Sequence, residues 1–316
     1  MGRFLIIWSV FSVRQQWQRI YAARRYMSQG AIFLLRKVLR YGHLPALLAL
    51  ARGLCALRLA GSAFRPRNAV AKENARCLVG QAERVDAVWI AVRRRLLEEA
   101  ATWGQNPELL RQIHACATEL DAVVAPLHRQ NIPYILAPLH TVSDVLAAMV
   151  GASVMPGSAC VVVSSSAELY NAQIRALGGV ALSYCSIHQP NKALAGELMT
   201  LITDVAVGRQ NMIIFPDISP DYTLQAEGAL AAKLPCRLFG RSAKLHNGVV
   251  RLSGVIKAQV VFYHLSYRNG LRIHIHPPVD HREIARALPR IVEKTLQDYP
   301  QEWLLWHSHS LYFINH

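Results

Sequence analysis

Tyr134-Ile135-Leu136-Ala137-Pro138-Leu139-His140 is a short apolar run that ends on a histidine, and Thr141, Ser143 and Asp144 follow at once. The run reads as a strand over Tyr134–Leu139. The turn residues after it open a helix over about 141–151 that carries Asp144. The strand thus delivers His140 to the edge of a sheet. On a regular helix, positions i and i+4 share a face. Asp144 can then hold one imidazole nitrogen while the other takes a proton from an attacking hydroxyl or amine. A lone H-x-x-x-D match is common by chance, so its weight depends on what surrounds it.

The same texture repeats downstream. Further strands are expected at Ala159–Ser164, Val180–Tyr184, Asn211–Phe215, Gln259–Leu265 and Leu271–His276. Helical stretches fall between several of them, at about 141–151, 167–177, 191–207 and 242–256, and close the chain at 281–298 and about 301–313. This alternation specifies an α/β fold with a mostly parallel central sheet flanked by helices. Ligands of such sheets bind beyond the carboxyl ends of the strands. His140 and Pro216-Asp217 both follow expected strands and so converge there. Asp217 itself reads more readily as the cap of a turn in Ile218-Ser219-Pro220 than as catalytic support. Upstream, residues 1 to about 125 read as helical, with helices in Ala82–Trp103 and from Pro107 to about Val124. His128-Arg129-Gln130-Asn131 is a polar break. No Gly-rich phosphate loop occurs.

Charge divides the chain unevenly. No Asp or Glu precedes Glu73, and 13 Lys and Arg residues fall before it, out of a net charge of +15 for 316 residues. This sets a basic, apolar helical segment (1–70) apart from an α/β domain (71–316). The bases are interleaved with Leu, Ile, Ala, Phe and Trp, and no nucleic-acid-binding motif accompanies them. A mitochondrial presequence shares the Arg-rich, acid-poor composition. Attachment to an anionic membrane face through amphipathic helices fits the interleaving better. Phe4–Val13 is too short to span a bilayer, which takes about 20 residues. Arg52 and Arg58 interrupt His43–Phe64. The expected state is therefore peripheral or monotopic. The six cysteines form no C-x-x-C pair and read as buried free thiols in a reducing compartment. His274 and His276 alternate on one strand, and His307 and His309 lie near the end. None has further ligands at metal spacing, so no metal is expected.

Four blocks, taken together and in order, resemble the bacterial lipid A late acyltransferases, a branch of the glycerolipid acyltransferase superfamily. They are Ile135–His140, Gly208–Asp217 with its strand ending in Pro-Asp, Leu234–Ala243 with Phe239-Gly240, and Pro300–His307 with its Pro-x-x-Trp…Trp-x-His pattern. The resemblance implies an α/β acyltransferase core on the cytoplasmic face of the inner membrane. It implies acyl transfer from acyl carrier protein, or from coenzyme A, to a hydroxyl or amine acceptor, with an envelope glycolipid of lipid A type expected first. It implies no metal or organic cofactor. A basic surface suits an acidic carrier protein and an anionic lipid alike; nucleic acid is not an expected partner.

The departures are informative. The family motif is histidine, four residues, then an acid, whereas here Asp144 comes after three and Val145 holds the family position. The family often places an arginine in the block after the next strand, whereas here Ser164-Ser165-Ser166 stands there. A serine-rich wall at Ser164 and Ser165 suggests another ligand at that side. These departures keep open a relative repurposed to transfer an acyl or aminoacyl group in secondary-metabolite or modified-lipid biosynthesis, and a binding protein that lost the chemistry. The condensation-type acyltransferases also carry H-x-x-x-D, but their following Gly and later motifs are missing. The expected mechanism is direct transfer, with His140 as general base, Asp144 orienting it, and Arg241 and Lys244, three apart after the Phe-Gly turn, as cationic substrate contacts beside Asp217. Trp303 and Trp306 read as packing residues.

Overall fold

The computed structural model describes residues 30, 33–80, 84–163, 182–186, 191–218 and 233–307. Ser164, Ser165 and the helix expected at 167–177 lie outside the described residues. β1 (Tyr134–Pro138) is buried at every position. A strand covered on both faces reads as a continuous apolar run rather than an alternating one. β1 pairs in parallel with β4 (Asn211–Ile214), through Ile135 and Met212. On its other side it pairs in parallel with β7 (Gln259–Tyr267), through Ile135 and Val260. β2 (Ala159–Val163), β3 (Leu182–Ser186) and β8 (Leu271–Ile275) complete a six-stranded sheet of order β3-β2-β4-β1-β7-β8. Within this sheet only the β7–β8 pair is antiparallel. The fold is thus mixed α/β with a mostly parallel central sheet.

Nine helices lie among the described residues. α1 (33–41), α2 (Leu44–Ala56), α3 (Arg65–Val79), α4 (Ala87–Ala101) and α5 (Pro107–Arg129) precede the sheet. α6 (Asp144–Ala152), α7 (Asn191–Ala206), α8 (Gly248–Ile256) and α9 (Ile284–Asp298) alternate with the strands. The two sheet faces have separate cores. One joins Leu120 and Leu146 to Leu136 and Tyr263. The other joins Leu201, Val249 and Leu288 to Ile135, Met212 and Phe262. α3 runs through position 70 and buries Ala71 and Ala75 in the second core. Asn106 caps α5 by accepting from the Glu108 and Leu109 amides, while its amide nitrogen donates to Leu39 O at 2.8 Å and ties α1 to the domain.

Three sequence expectations change. Residues 242–256 are not one helix. Arg241–His246 is β6, paired antiparallel with β5 (Lys233–Leu238), and only then does α8 begin. The connecting Phe239 and Gly240 both have positive φ, 51° and 74°, the conformation that two-residue hairpin turns require. The alternation of buried Ala243 and Leu245 with partly exposed neighbours is the strand signal there. The strand expected at Val180–Tyr184 is described over Leu182–Ser186 and so runs two residues further than expected; 180 and 181 lie outside the described residues. Over 301–305 the chain forms turns and an isolated bridge instead of an α-helix, and residues 306–307 are in a 3-10 conformation; the remainder of that expected helix, 308–313, lies outside the described residues.

On α1 and α2, Phe33, Leu34, Leu35, Tyr41 and Leu50 are exposed, as are Leu57 and Leu59 just beyond. The exposed Lys37, Arg40, Arg52 and Arg58 stand among them. No helix of the described residues is long and apolar enough to cross a membrane.

Beneath the end of α9, three histidines crowd together. His264 is 4% exposed, stacks on His274 at 4.7 Å between centroids and lies 4.9 Å from the Tyr299 ring. Neither ring nitrogen of His264 has a hydrogen-bond partner among the described residues. Burial pushes it down to about 3, and His274 and His276 add to the effect. The unfolded imidazole takes its proton near 6.5. Between that value and about 3 the unfolded state therefore binds more protons than the folded one. Stability is then lost as pH falls through this window. Glu302 and Glu98, whose carboxyls burial holds above their usual range, act in the opposite sense near its lower end. Urea unfolding at pH 7 and at pH 5 is thus expected to show the greater loss for wild type, and a shallower pH slope for His264→Phe; equal slopes refute the assignment.

Candidate active site

α6 leaves the end of β1 across the first core face, whereas the β5–β6 hairpin and α8, which follow β4, lie on the second. β1 and β4 are neighbours in the sheet. Adjacent parallel strands whose connections depart to opposite faces open a crevice at their carboxyl ends. His140 stands two residues beyond β1 and Asp217 three beyond β4, so both meet at this switch point.

Asp217 is fully buried. Its Oδ1 lies 2.8 Å from His140 Nδ1, and its Oδ2 accepts from the His140 backbone amide at 3.0 Å. The Trp303 indole N–H also donates to Oδ2, at 2.9 Å. The carboxylate therefore holds both the ring and the main chain of one histidine. An ionised carboxylate can only accept, so the proton of this pair sits on Nδ1 and the lone pair is left on Nε2. No described residue hydrogen-bonds Nε2, and the side chain keeps 16% of its surface exposed. The Phe215 ring lies 4.5 Å from the imidazole and covers part of it.

The partner expected from sequence was Asp144, and the structure corrects this. Asp144 is the first residue of α6, capped by Ser143 Oγ, which accepts from the Leu146 amide at 3.2 Å. His140 precedes that helix, so the i,i+4 rule never applies to the two residues. Between them Val142 takes φ of 56°, a left-handed conformation rare for a β-branched residue, which turns the chain. The Asp144 carboxylate instead lies 2.6 Å from Arg94 Nη2, close enough for an ion pair although no N–H aligns on that oxygen. Arg94 also binds Glu98, and Glu98 accepts from Ser143 Oγ at 2.8 Å. Burial raises the Glu98 carboxyl, with Arg94 opposing. Asp144 thus belongs to a network that anchors the start of α6, where a helix N-terminus also favours negative charge.

Asp217, expected as a turn cap, is the carboxylate at His140. Arg241 and Lys244 sit on a strand, where residues three apart point to opposite faces. The helical pairing expected of them is lost. Ser164 and Ser165 lie outside the described residues. Among the described residues no group of three or more His, Cys, Asp or Glu is arranged to hold a metal. A cavity of about 350 Å³, lined by His128, Tyr134, Val207 and Asn211, lies at the amino ends of β1 and β4. That is the end opposite His140, and it takes no part in this site. No family model matches the chain, and no curated protein matches it significantly.

Sequence reasoning named the Pro300–His307 block but read its tryptophans as packing residues, and so missed that this segment completes the site. Leu304 N donates to His140 O, and Val142 N donates to Glu302 O, both at 2.9 Å. These bonds strap residues 302–304 onto 140–142 and hold Val142 in its strained conformation, whose cost is about 1–3 kcal/mol. Glu302 is itself anchored, 2.5 Å from Arg93 Nη2 with both side chains buried. Burial raises the Glu302 carboxyl, and Arg93 opposes it. Removing one member of such a pair leaves an uncompensated buried charge. Glu302→Ala is therefore expected to cost ~3–5 kcal/mol in urea unfolding. The double variant Arg93→Met with Glu302→Leu should recover much of that loss; a small cost for the single change would show the pair to be dispensable.

Proposed function

We propose that this protein is an acyltransferase. It moves an acyl group directly from a carrier-protein or coenzyme A thioester to a hydroxyl or amine. The single observation that carries the reading is the His140–Asp217 pair: an imidazole whose Nε2 is hydrogen-bonded by no described residue, oriented by a buried carboxylate at a switch point of an α/β sheet. His140 Nε2 takes the proton of the acceptor as its oxygen or nitrogen attacks the thioester carbonyl. The tetrahedral intermediate collapses, the C–S bond breaks, and the thiolate leaves with the proton that His140 carries. Asp217 fixes the tautomer and stabilises the imidazolium between these steps. This route needs neither a nucleophilic side chain nor a metal.

The four blocks that resemble lipid A acyltransferases support an envelope glycolipid as acceptor. In this reading Ile135–His140 gives the base, Gly208–Asp217 the carboxylate and Pro300–His307 the strap, while Leu234–Ala243 forms the hairpin that packs into the second core. The exposed apolar and basic residues of α1 and α2 suit docking on an anionic membrane where such a lipid resides. A repurposed relative with a different acceptor is the second reading. It is favoured by the acid, which comes from beyond β4 and not from the helix after the histidine.

Mass spectrometry of an acyl-carrier-protein thioester mixed with lipid and amine acceptors tests the activity. His140→Ala and Asp217→Asn are expected to lower the transfer rate roughly 100- to 10,000-fold. Asp144→Asn should leave it near wild type, with any loss appearing in stability instead. Full transfer by His140→Ala ends the reading, and a large loss in Asp144→Asn with Asp217→Asn silent reverses the roles of the two carboxylates. Docking is checked by vesicle co-sedimentation. Association with anionic vesicles should weaken with added salt, since each base near the surface contributes about 1 kcal/mol. It should fall further in the triple variant Leu34→Ser, Tyr41→Ser, Leu50→Ser; unchanged binding would exclude this surface.

A further inference from the structure

We propose that Trp303 is a positioning residue that acts on His140 through Asp217, setting both the orientation and the basicity of the general base. The inference rests on the proposed role of His140. Trp303 is 2% exposed, and a buried indole N–H needs an acceptor. It finds one in Asp217 Oδ2 at 2.9 Å, the oxygen that also accepts the His140 amide. The other oxygen, Oδ1, lies 2.8 Å from the imidazole Nδ1. Each partner is thereby assigned its own lone pairs, and the carboxylate cannot rotate without breaking a bond.

The indole is delivered by main-chain pairing. Thr141 and Trp303 form an antiparallel bridge, closed by Leu304 N to His140 O. Trp306 packs edge-on against the Trp303 ring at 5.0 Å and donates its own N–H to Pro300 O at 2.7 Å. A tryptophan held only for its bulk does not require its N–H to point at a carboxylate bonded to the histidine. Packing and positioning make different predictions, because only the second depends on that hydrogen.

The effect has a definite sign. The N–H donor draws charge from the same Asp217 carboxylate that binds the imidazole. Removing it leaves the carboxylate a stronger partner for protonated His140. Asp217 and Phe215, both from beyond β4, contact the imidazole, and Asp217 is the one charged group hydrogen-bonded to it among the described residues.

The test is NMR of the full chain labelled with ¹⁵N at histidine and tryptophan, titrated in wild type, Trp303→Phe and His140→Ala. His140 is assigned by its loss in the last. Trp303→Phe is expected to raise its titration midpoint by ~0.5–1 pH unit with the Nδ1–H tautomer retained. An unmoved midpoint, even with lowered thermal stability, overturns the proposal and leaves Trp303 a packing residue. Should Trp303→Phe not fold, the wild-type spectrum decides. One of the six indole N–H signals must titrate with the His140 midpoint and cease to do so in His140→Ala; no such signal overturns the proposal. The transfer assay separates the two levels of inference. Full activity in His140→Ala removes the acyltransferase reading itself. Activity lost in His140→Ala but unchanged in rate and pH profile in Trp303→Phe removes only the role of the indole.

Discussion

The carboxylate of Asp217 is the constraint around which the site is assembled. A fully buried anion is costly unless its lone pairs are met by donors. The donors that meet it include the imidazole and amide of His140 and the indole of Trp303. They come from the end of β1 and from the segment after α9, while the acid follows β4. One charge therefore joins three stretches of chain, beside the sheet, its cores and the strap that pairs 302–304 with 140–142. The apolar interior supports this directly. Ile135, Ala137, Met212 and Ile214 fix the two strands side by side, and the polar residues at their ends are left to pair.

Much of this architecture is legible in the sequence. A continuous apolar run with no polar residue gave away β1, because a parallel strand covered on both faces has no solvent side to mark. The position of His140 follows from that run alone. Its partner does not. Asp144 is the near carboxylate in sequence, but the strand ends, the chain turns through a left-handed Val142, and the helix starts afresh at a new cap. Local spacing rules hold only inside one regular element, and this pair straddles three conformations. Asp217 lies 77 residues away, and only strand order brings it near. Its place just beyond a strand was the available signal. The three-residue spacing of Arg241 and Lys244 misled for a related reason: it looks helical, while Ala243 and Leu245 alternate as a strand does.

Asp144 has a task of its own. With Arg94, Glu98 and Ser143 it closes a polar network where α4 meets the start of α6. Arg93, one residue before Arg94, reaches Glu302 in the strap. Two neighbouring arginines of one helix thus hold the loop from both sides, one through the helix that leaves it and one through the segment laid across it. α4 is in this sense a scaffold for residues that it does not touch at the imidazole.

The strap also gives the site an order of assembly. β1, β4 and the helices around them are all encoded before residue 300, and His140 and Asp217 can approach each other as soon as the sheet forms. Yet Val142 keeps its unusual backbone through a bond to Glu302, and Asp217 gains a further donor from Trp303. During synthesis these are among the last described residues to leave the ribosome. The nascent sheet therefore carries His140 and Asp217 without the segment that sets them, and the pair is completed only once residues 302–304 have been made.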